Sequence, residues 1–184
     1  MDYLHDITAY VPKNAQETAD REFFLRFAAQ HPDCLSRNCD LAHFTASAWI
    51  VTADRSKVLM VWHELYKSWS WTGGHADGSP ELSVVALREA CEETGAHSVR
   101  LVSPLPVSLE TLAVAGHFKH GRFVHSHLHL NLTYLIEADE IDALHVRPGE
   151  TSAVRWFFPE EALAASREPW MVQNVYQKLI LAAK

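Results

Sequence analysis

The sequence has few cysteines and no long apolar run. The three cysteines, Cys34, Cys39 and Cys91, suit neither a disulfide framework nor a zinc-binding pattern, so we predict free thiols. No apolar stretch reaches the roughly 20 residues that a membrane-spanning helix needs. Residues 1–10 lack the basic start and apolar run of a secretory signal. These absences predict a cytoplasmic protein that does not act in a membrane.

Positive charge is also scarce. Lysine and arginine total 16 against 23 aspartates and glutamates, which gives a formal net charge of -7. A surface that binds large nucleic acids without sequence preference needs clustered basic residues to replace phosphate counterions, so we do not expect such a partner. A small phosphorylated substrate is compatible with this charge, because a bound metal ion can supply positive charge locally.

The length of 184 residues suits one domain with a modest extension. Asn14 and Glu17 have the spacing of a capping box, and they predict a helix over 14–29. We therefore divide the chain into an N-terminal helical extension, residues 1–38, and a main domain, residues 39–184.

Strands and helices alternate irregularly in the main domain, which favours an α/β fold with a mixed sheet between helices. The predicted strands span 43–51, 57–63, 99–103, 107–114, 124–136 and 154–157, and the first two form a hairpin. An aromatic loop over 66–71 and a glycine-rich segment over 73–78 precede a long helix. Two further helices are predicted, one from Pro159 and one over 170–183.

The long helix carries most of the chemistry. Ser79 as the cap and Pro80 as the first helical residue predict a helix that ends at Thr94, before Gly95. At about 100° per residue, one side carries three carboxylates and the other side a core-facing surface. The carboxylates are Glu89, Glu92 and Glu93; the predicted core face is Val84, Leu87 and Cys91.

Three carboxylates on one helix face repel one another. Arg88 offsets part of this repulsion, and a hard divalent cation would neutralise the rest, because Mg²⁺ prefers carboxylate oxygens. The alternative interpretation is a solvated acidic surface. Glycines directly before the helix favour a ligand site, since they let the backbone approach a ligand closely and the helix N-terminus directs amides there. They are Gly73, Gly74 and Gly78.

The same residues resemble the Nudix box. Gly74, five residues, Pro80, seven residues and then Arg88-Glu89-Ala90-Cys91-Glu92-Glu93-Thr94-Gly95-Ala96 follow that family's pattern. The order of the strands extends the resemblance to roughly residues 40–168. One departure is Pro80, where the family carries a glutamate that pairs with the motif arginine. Arg88 therefore needs another partner, and Glu81 and Asp77 are the nearest acidic residues before it.

The resemblance implies a Nudix-type α/β/α sandwich and a MutT-like pyrophosphohydrolase activity that requires Mg²⁺, with Mn²⁺ as a substitute. The substrate would be a small-molecule diphosphate such as a nucleoside diphosphate derivative. Glu92 and Glu93 would be the main metal ligands, and Glu89 would bind metal or act on the attacking water. Arg88 would orient Glu89 or Glu92, and a backbone carbonyl of Gly73 or Gly74 would be a further ligand.

The sequence is rich in histidine, with 12 residues. His125, His127 and His129 alternate and so share one strand face, with His117 and His120 nearby. These histidines are either contacts to phosphate or metal, or neutral, satisfied residues beside the active site. We expect a substrate-facing role for His75, His127 and His129. Trp69 and Trp71 either stack on the substrate or pack in the core.

Two alternatives to the hydrolase remain. Leu41-Ala42-His43-Phe44 and Gly74-His75 are similar to segments of isopentenyl-diphosphate isomerase, a relative with the Nudix fold. That enzyme's catalytic cysteine would fall on Gly73, which disfavours the isomerase. The other alternative is a non-catalytic nucleotide-sensing module, which the intact carboxylate set disfavours.

The segments 69–78 and 127–131 resemble a bacterial Nudix subgroup whose substrates are poorly defined. The resemblance therefore implies a reaction but no particular substrate. We also expect a homodimer, because the N-terminal helix and the aromatic loop offer apolar surface.

Overall fold

The structure is a computed structural model that describes residues 2–119 and 121–184. His120, one of the histidines considered above, lies outside these residues. Within the described ranges, none of the helices is both long enough and apolar enough to cross a membrane.

The elements are numbered in chain order. The helices are α1 (Tyr3–Ala9), α2 (Ala15–Gln30), α3 (Leu82–Thr94), α4 (Pro159–Ala165), α5 (Pro169–Met171) and α6 (Gln177–Ala182), with a π-helical turn, Val172–Tyr176, joining α5 to α6. The strands are β1 (Ala42–Val51), β2 (Val58–His63), β3 (Ser68–Ser70), β4 (Thr72–His75), β5 (Val99–Leu101), β6 (Ser108–Val114), β7 (His117–Lys119), β8 (Arg122–Val124), β9 (His127–Ala138) and β10 (Thr151–Phe157).

Strand β1 lies at the centre of an eight-stranded mixed sheet. It runs parallel to β9 along its whole length and antiparallel to β2 and β4. The main path is β10-β2-β1-β9-β5, with β3 paired to β2, β4 to β1 and β6 to β9. Strands β7 and β8 form a separate hairpin. The predicted α/β sandwich with a mixed sheet is confirmed.

The two faces of the sheet support two hydrophobic cores. Successive residues of a strand point to opposite faces, so alternate residues of β1 enter different cores. Phe44 and Ile50 pack in a core with residues of α1, α2 and α3. Trp49 and Val51 pack in the other core with residues of α4, the π-helical turn and α6. Both faces of β1 are therefore buried along its length.

The N-terminal helices pack on the sheet. The side chain of Asn14 accepts a hydrogen bond from the amide of Glu17, as predicted for the cap of α2. The side chain of Glu17 accepts from the amide of Lys13 rather than from that of Asn14. Phe24 and Phe27 belong to the first core. We keep the division of the chain after residue 38 as a proposal.

Helix α3 begins two residues later than predicted. The predicted cap, Ser79, instead donates its amide to the carbonyl of Ala76 in a turn, and the carbonyl of Pro80 accepts from the amide of Tyr3. Both groups are thus engaged outside the helix, which begins at Leu82. The predicted end is confirmed, because Gly95 has a φ of 76° and donates its amide to Cys91.

The predicted core face of α3 is correct only in part. Leu87 packs against the first core, but Val84 is 53% exposed, and the helix buries Leu82, Val85, Ala86 and Ala90 in that core. Helix α3 packs on β1 and β4. The face in contact with these strands also carries Glu89 and Glu93, so these two carboxylates point toward the sheet.

Two predicted boundaries also differ. The aromatic loop over 66–71 contains β3, which pairs with β2, and the first glycines lie in β4, which pairs with β1. The single strand predicted over 124–136 is interrupted between β8 and β9.

Within the described ranges, all three cysteines are free thiols, as predicted.

Candidate active site

The carboxylates of α3 meet β4 along the inner side of the helix. Glu89 is 7% exposed and Glu93 is 5% exposed, whereas Glu92 points outward with a side chain that is 42% exposed. All three were predicted as metal ligands, and Glu89 and Glu92 also as catalytic residues. The structure brings Glu89 and Glu92 together, since both contact Arg147.

Gly74 provides the space that Glu89 occupies. A Cβ atom at position 74 would lie 2.5 Å from Cδ of Glu89 and 2.6 Å from its Oε1. Real Cβ contacts are longer than this, so the close approach of β4 to the carboxylate depends on the missing side chain. Gly74 thus contributes to the site because its missing side chain leaves room for the carboxylate of Glu89.

Gly74→Ala should therefore displace the carboxylate of Glu89 and lower kcat/KM. We expect a loss of roughly tenfold to a hundredfold, as for a misplacement of about 1 Å in a catalytic group. Steady-state kinetics with a hydrolysable diphosphate would measure it. The matched control is Gly116→Ala, whose Cβ would meet the ring of Phe123, an exposed side chain. Equal activity of the two variants would refute the role of Gly74.

Glu93 lies deeper than the other carboxylates. Its Oε1 accepts a hydrogen bond from the amide of Gly73 at 3.3 Å. Burial raises the pKa of Glu93 to about 8, and the negative charges of Glu89 and Glu150 act in the same direction. The positive charge of Arg147 offsets only part of this increase, so a divalent cation is the kind of partner that would stabilise the ionised form of Glu93.

Arg88 pairs with the carboxylate that follows it in sequence. Its guanidinium lies 2.8 Å from Oε1 of Glu89 and 3.9 Å from Oε1 of Glu92. The hydrogen bond to Glu89 raises the pKa of Arg88. Asp77, one of the two partners considered above, instead receives two hydrogen bonds from Arg37, at 2.6 and 2.5 Å.

Arg147 is a site residue that sequence reasoning missed. It lies on the loop between β9 and β10, and its guanidinium is 3.1 Å from Glu92, 3.3 Å from Glu89 and 3.2 Å from Glu150. The loop is held against α3 because the amide of His145 donates to the carbonyl of Thr94. Arg147 is 58 residues from Glu89 and belongs to no motif, so no local pattern indicates it.

The predicted substrate-binding histidines lie on the other side of β4. The rings of His75 and His129 are 4.9 Å apart between centroids, and the ring of His43 lies about equally close to both. His127 also contacts His129. The ring of His125 packs edge-on against that of His127, with centroids 6.2 Å apart, and also lies 3.8 Å from Asp40.

The two predicted tryptophans lie against the second core. Trp69 packs on Phe157, with ring centroids 4.8 Å apart, and on Trp62. Trp71 packs on Tyr176 and donates its amide to that hydroxyl. Both are partly buried there.

The comparisons with known proteins agree with this architecture. The NUDIX domain family matches residues 42–179. A NUDIX-family hydrolase from Clostridium perfringens has 23% sequence identity and a TM-score of 0.52, and the match covers 76% of this chain and 97% of that one. An Ap4A hydrolase from C. elegans has 17% identity and a TM-score of 0.53, covering 74% and 93%. No curated protein matches the sequence.

Two observations define the class of protein. Helix α3 carries Glu89, Glu92 and Glu93 beside the glycines of β4, and the family match covers these elements. The chain belongs to the Nudix family. The predicted enzyme class, a Nudix pyrophosphohydrolase, is thus confirmed at the level of the family.

Proposed function

We propose that this Nudix enzyme hydrolyses the diphosphate linkage of a small molecule, such as a nucleoside diphosphate derivative, with Mg²⁺ as its cofactor and Mn²⁺ as a substitute. The observation that carries the proposal is the packing of Glu89 into the space left by Gly74, with Glu93 buried beside it and Glu92 at the rim. This donor set consists of oxygen atoms, which suits a hard divalent cation.

The residues present fit such an ion. Glu92 and Glu93 would hold it, and a backbone carbonyl of Gly73 or Gly74 would complete the protein's share of the ligands. The ion, when bound, neutralises phosphate charge and makes a bound water more acidic. Glu89 would accept the proton of that water, and Arg88 fixes its orientation through the 2.8 Å contact.

The guanidinium of Arg147 would compete with a metal ion for the carboxylates of the site. It contacts Glu92, which would hold the metal, and Glu89, which would accept the proton of the bound water. Arg147→Gln should therefore tighten Mg²⁺ binding, by about fivefold if one interaction of roughly 1 kcal/mol is removed. Calorimetric titration of the protein with Mg²⁺ alone would measure the change. The matched control is Arg155→Gln, which removes a surface arginine that pairs with Glu161. Weaker binding in Arg147→Gln would show that Arg147 assists the metal.

The substrate contacts are also proposals. His75, His127 and His129 line a polar part of the sheet, whereas the rings of Trp69 and Trp71 pack on aromatic side chains of the second core. Of these two groups, the histidines are thus the stronger candidates for contact with a part of the substrate that extends past β4. The expected homodimer would be tested by light scattering.

The isomerase alternative is disfavoured by space as well as by sequence. A Cβ atom at position 73 would lie 2.6 Å from Oγ of Ser47 and 2.8 Å from the carbonyl oxygen of Ala46. A cysteine would therefore not fit there without a shift of β1 or β4. A screen of diphosphate compounds with Mg²⁺ would test the hydrolase, with release of phosphate or nucleotide as the readout. Conversion of isopentenyl diphosphate without phosphate release would instead support the isomerase.

A further inference from the structure

A second group of ligand-type side chains lies on the opposite side of β4 from the carboxylates. Adjacent residues of a strand point to opposite faces. Gly74 faces Glu89, and the next residue, His75, faces His43 and His129. One ring nitrogen from each of these three histidines lies within 4.8 Å of the others. We refer to His43, His75 and His129 as the histidine cluster.

Three neighbouring strands hold the cluster in place. His43 of β1 and His129 of β9 are direct partners in the parallel ladder. His75 of β4 pairs with Thr45, which lies two residues after His43 on the same face of β1. Side chains that project from paired strands are positioned more firmly than those on loops. The cluster is therefore a consequence of the sheet itself.

His43 presents a nitrogen that lacks a partner. Its side chain is 4% exposed, and its Nδ1 lies 3.2 Å from the carbonyl oxygen of Cys39. A carbonyl only accepts hydrogen bonds, so Nδ1 carries the proton and the neutral ring has a bare lone pair on Nε2. That Nε2 is buried and has no hydrogen-bond partner among the described residues. A backbone carbonyl that fixes the tautomer in this way is typical of metal-binding histidines.

His127 adds a fourth imidazole beside the cluster. Its Nδ1 lies 2.9 Å from the carbonyl oxygen of His125, and its Nε2 lies 3.2 Å from Nε2 of His129. Two ligands of a tetrahedral ion at 2.0–2.1 Å are about 3.4 Å apart. The spacing of these two nitrogens is therefore close to that of neighbouring ligands on zinc.

The charges that act on the cluster are opposite in sign and paired with each other. Arg37 faces these rings, but its charge is balanced by the two hydrogen bonds to Asp77.

We propose that His43, His75 and His129 bind a transition-metal cation of the zinc type, with His127 or a ligand oxygen in the fourth position. Imidazole nitrogen suits Zn²⁺, whereas Mg²⁺ prefers oxygen. The chain would therefore select two different ions on the two sides of β4. This site uses none of the carboxylates of α3, so it stands or falls independently of the hydrolase proposal.

The test is titration of the metal-free, full-length protein with Zn²⁺ in the presence of excess Mg²⁺. We expect one equivalent of Zn²⁺ to bind. His43→Asn and His75→Asn should each weaken binding by about tenfold or more. Two matched controls should leave it unchanged: His97→Asn, which removes an exposed histidine on another loop, and Glu92→Gln, which alters the carboxylate site.

The controls and a second measurement decide the outcome. Side-chain ¹⁵N spectra of histidine should show Nε2 of His43 shifting with Zn²⁺, a readout that does not depend on activity. If His43→Asn does not fold, His75→Asn serves alone, because His75 is partly exposed. The proposal is overturned if wild type binds no Zn²⁺ in excess Mg²⁺, or if the histidine variants bind it as tightly as wild type.

Discussion

Replacement of Glu92 or Glu93 by glutamine is expected to reduce turnover by about 10²- to 10³-fold, the order of loss when one group that stabilises transition-state charge is removed. Each change keeps the shape of the side chain and removes a charge that we propose binds the metal. Glu92 is at the rim of the site, so its replacement should not disturb the core. The fold should therefore survive while activity is lost.

For Glu93→Gln we also expect a specific effect on stability. Burial raises the pKa of Glu93 to about 8, so the carboxyl group of the metal-free protein is mainly protonated near pH 7. Glutamine imitates that neutral form, and the metal-free stability of Glu93→Gln should match that of wild type. We expect Mg²⁺ to stabilise wild type and to stabilise the variant less, because ligand binding raises stability only when the native state binds the ligand.

The control for both variants is Glu22→Gln, which alters an exposed glutamate of α2. Kinetics at saturating Mg²⁺, with thermal unfolding in parallel, would measure the effects. Unchanged turnover in either active-site variant, with wild-type stability, would refute the assignment of the carboxylates.

Lys178→Met is expected to lower the free energy of unfolding by about 3–5 kcal/mol, the usual cost of breaking a buried ion pair by removing one partner. The ammonium group of Lys178 lies 2.9 Å from Glu17 and 3.0 Å from Glu110. Lys178 is 13% exposed, and the two carboxylates are almost fully buried. Methionine would leave two negative charges in the interior without a cation.

The pH dependence provides an internal check. Burial alone would raise the pKa of Glu17, but hydrogen bonds from the Lys13 amide and from Lys178 outweigh it and lower the pKa. A lowered pKa contributes stability above the unfolded value of 4.5, and this contribution is lost as the pH falls through the folded-state pKa. The deficit of Lys178→Met should therefore shrink as the pH falls below about 4.5.

Chemical denaturation at a series of pH values would measure this deficit. The matched control is Lys57→Met, which breaks a partly exposed pair with Glu140 and should cost about 0–1 kcal/mol. A deficit in Lys178→Met no larger than in the control would show that the buried carboxylates do not need the lysine.

Local patterns predicted the elements that depend on local chemistry. The cap at Asn14 and the left-handed Gly95 after α3 are set by backbone groups within a few residues, and both are confirmed. The beginning of α3 was wrong because Tyr3, almost 80 residues away, binds the carbonyl of Pro80. The structure therefore overrides local propensity where a distant segment competes for the same backbone group.

The sequence by itself determined the family and the spacing of Glu89, Glu92 and Glu93, because helical periodicity relates residues that are close in the chain. Only the tertiary structure decided that Arg147 contacts two of these carboxylates and that His43, His75 and His129 meet. These residues lie on separate elements, and strand pairing across long sequence separations brings them together. No local pattern in the sequence indicates which strands pair or in which register they do so.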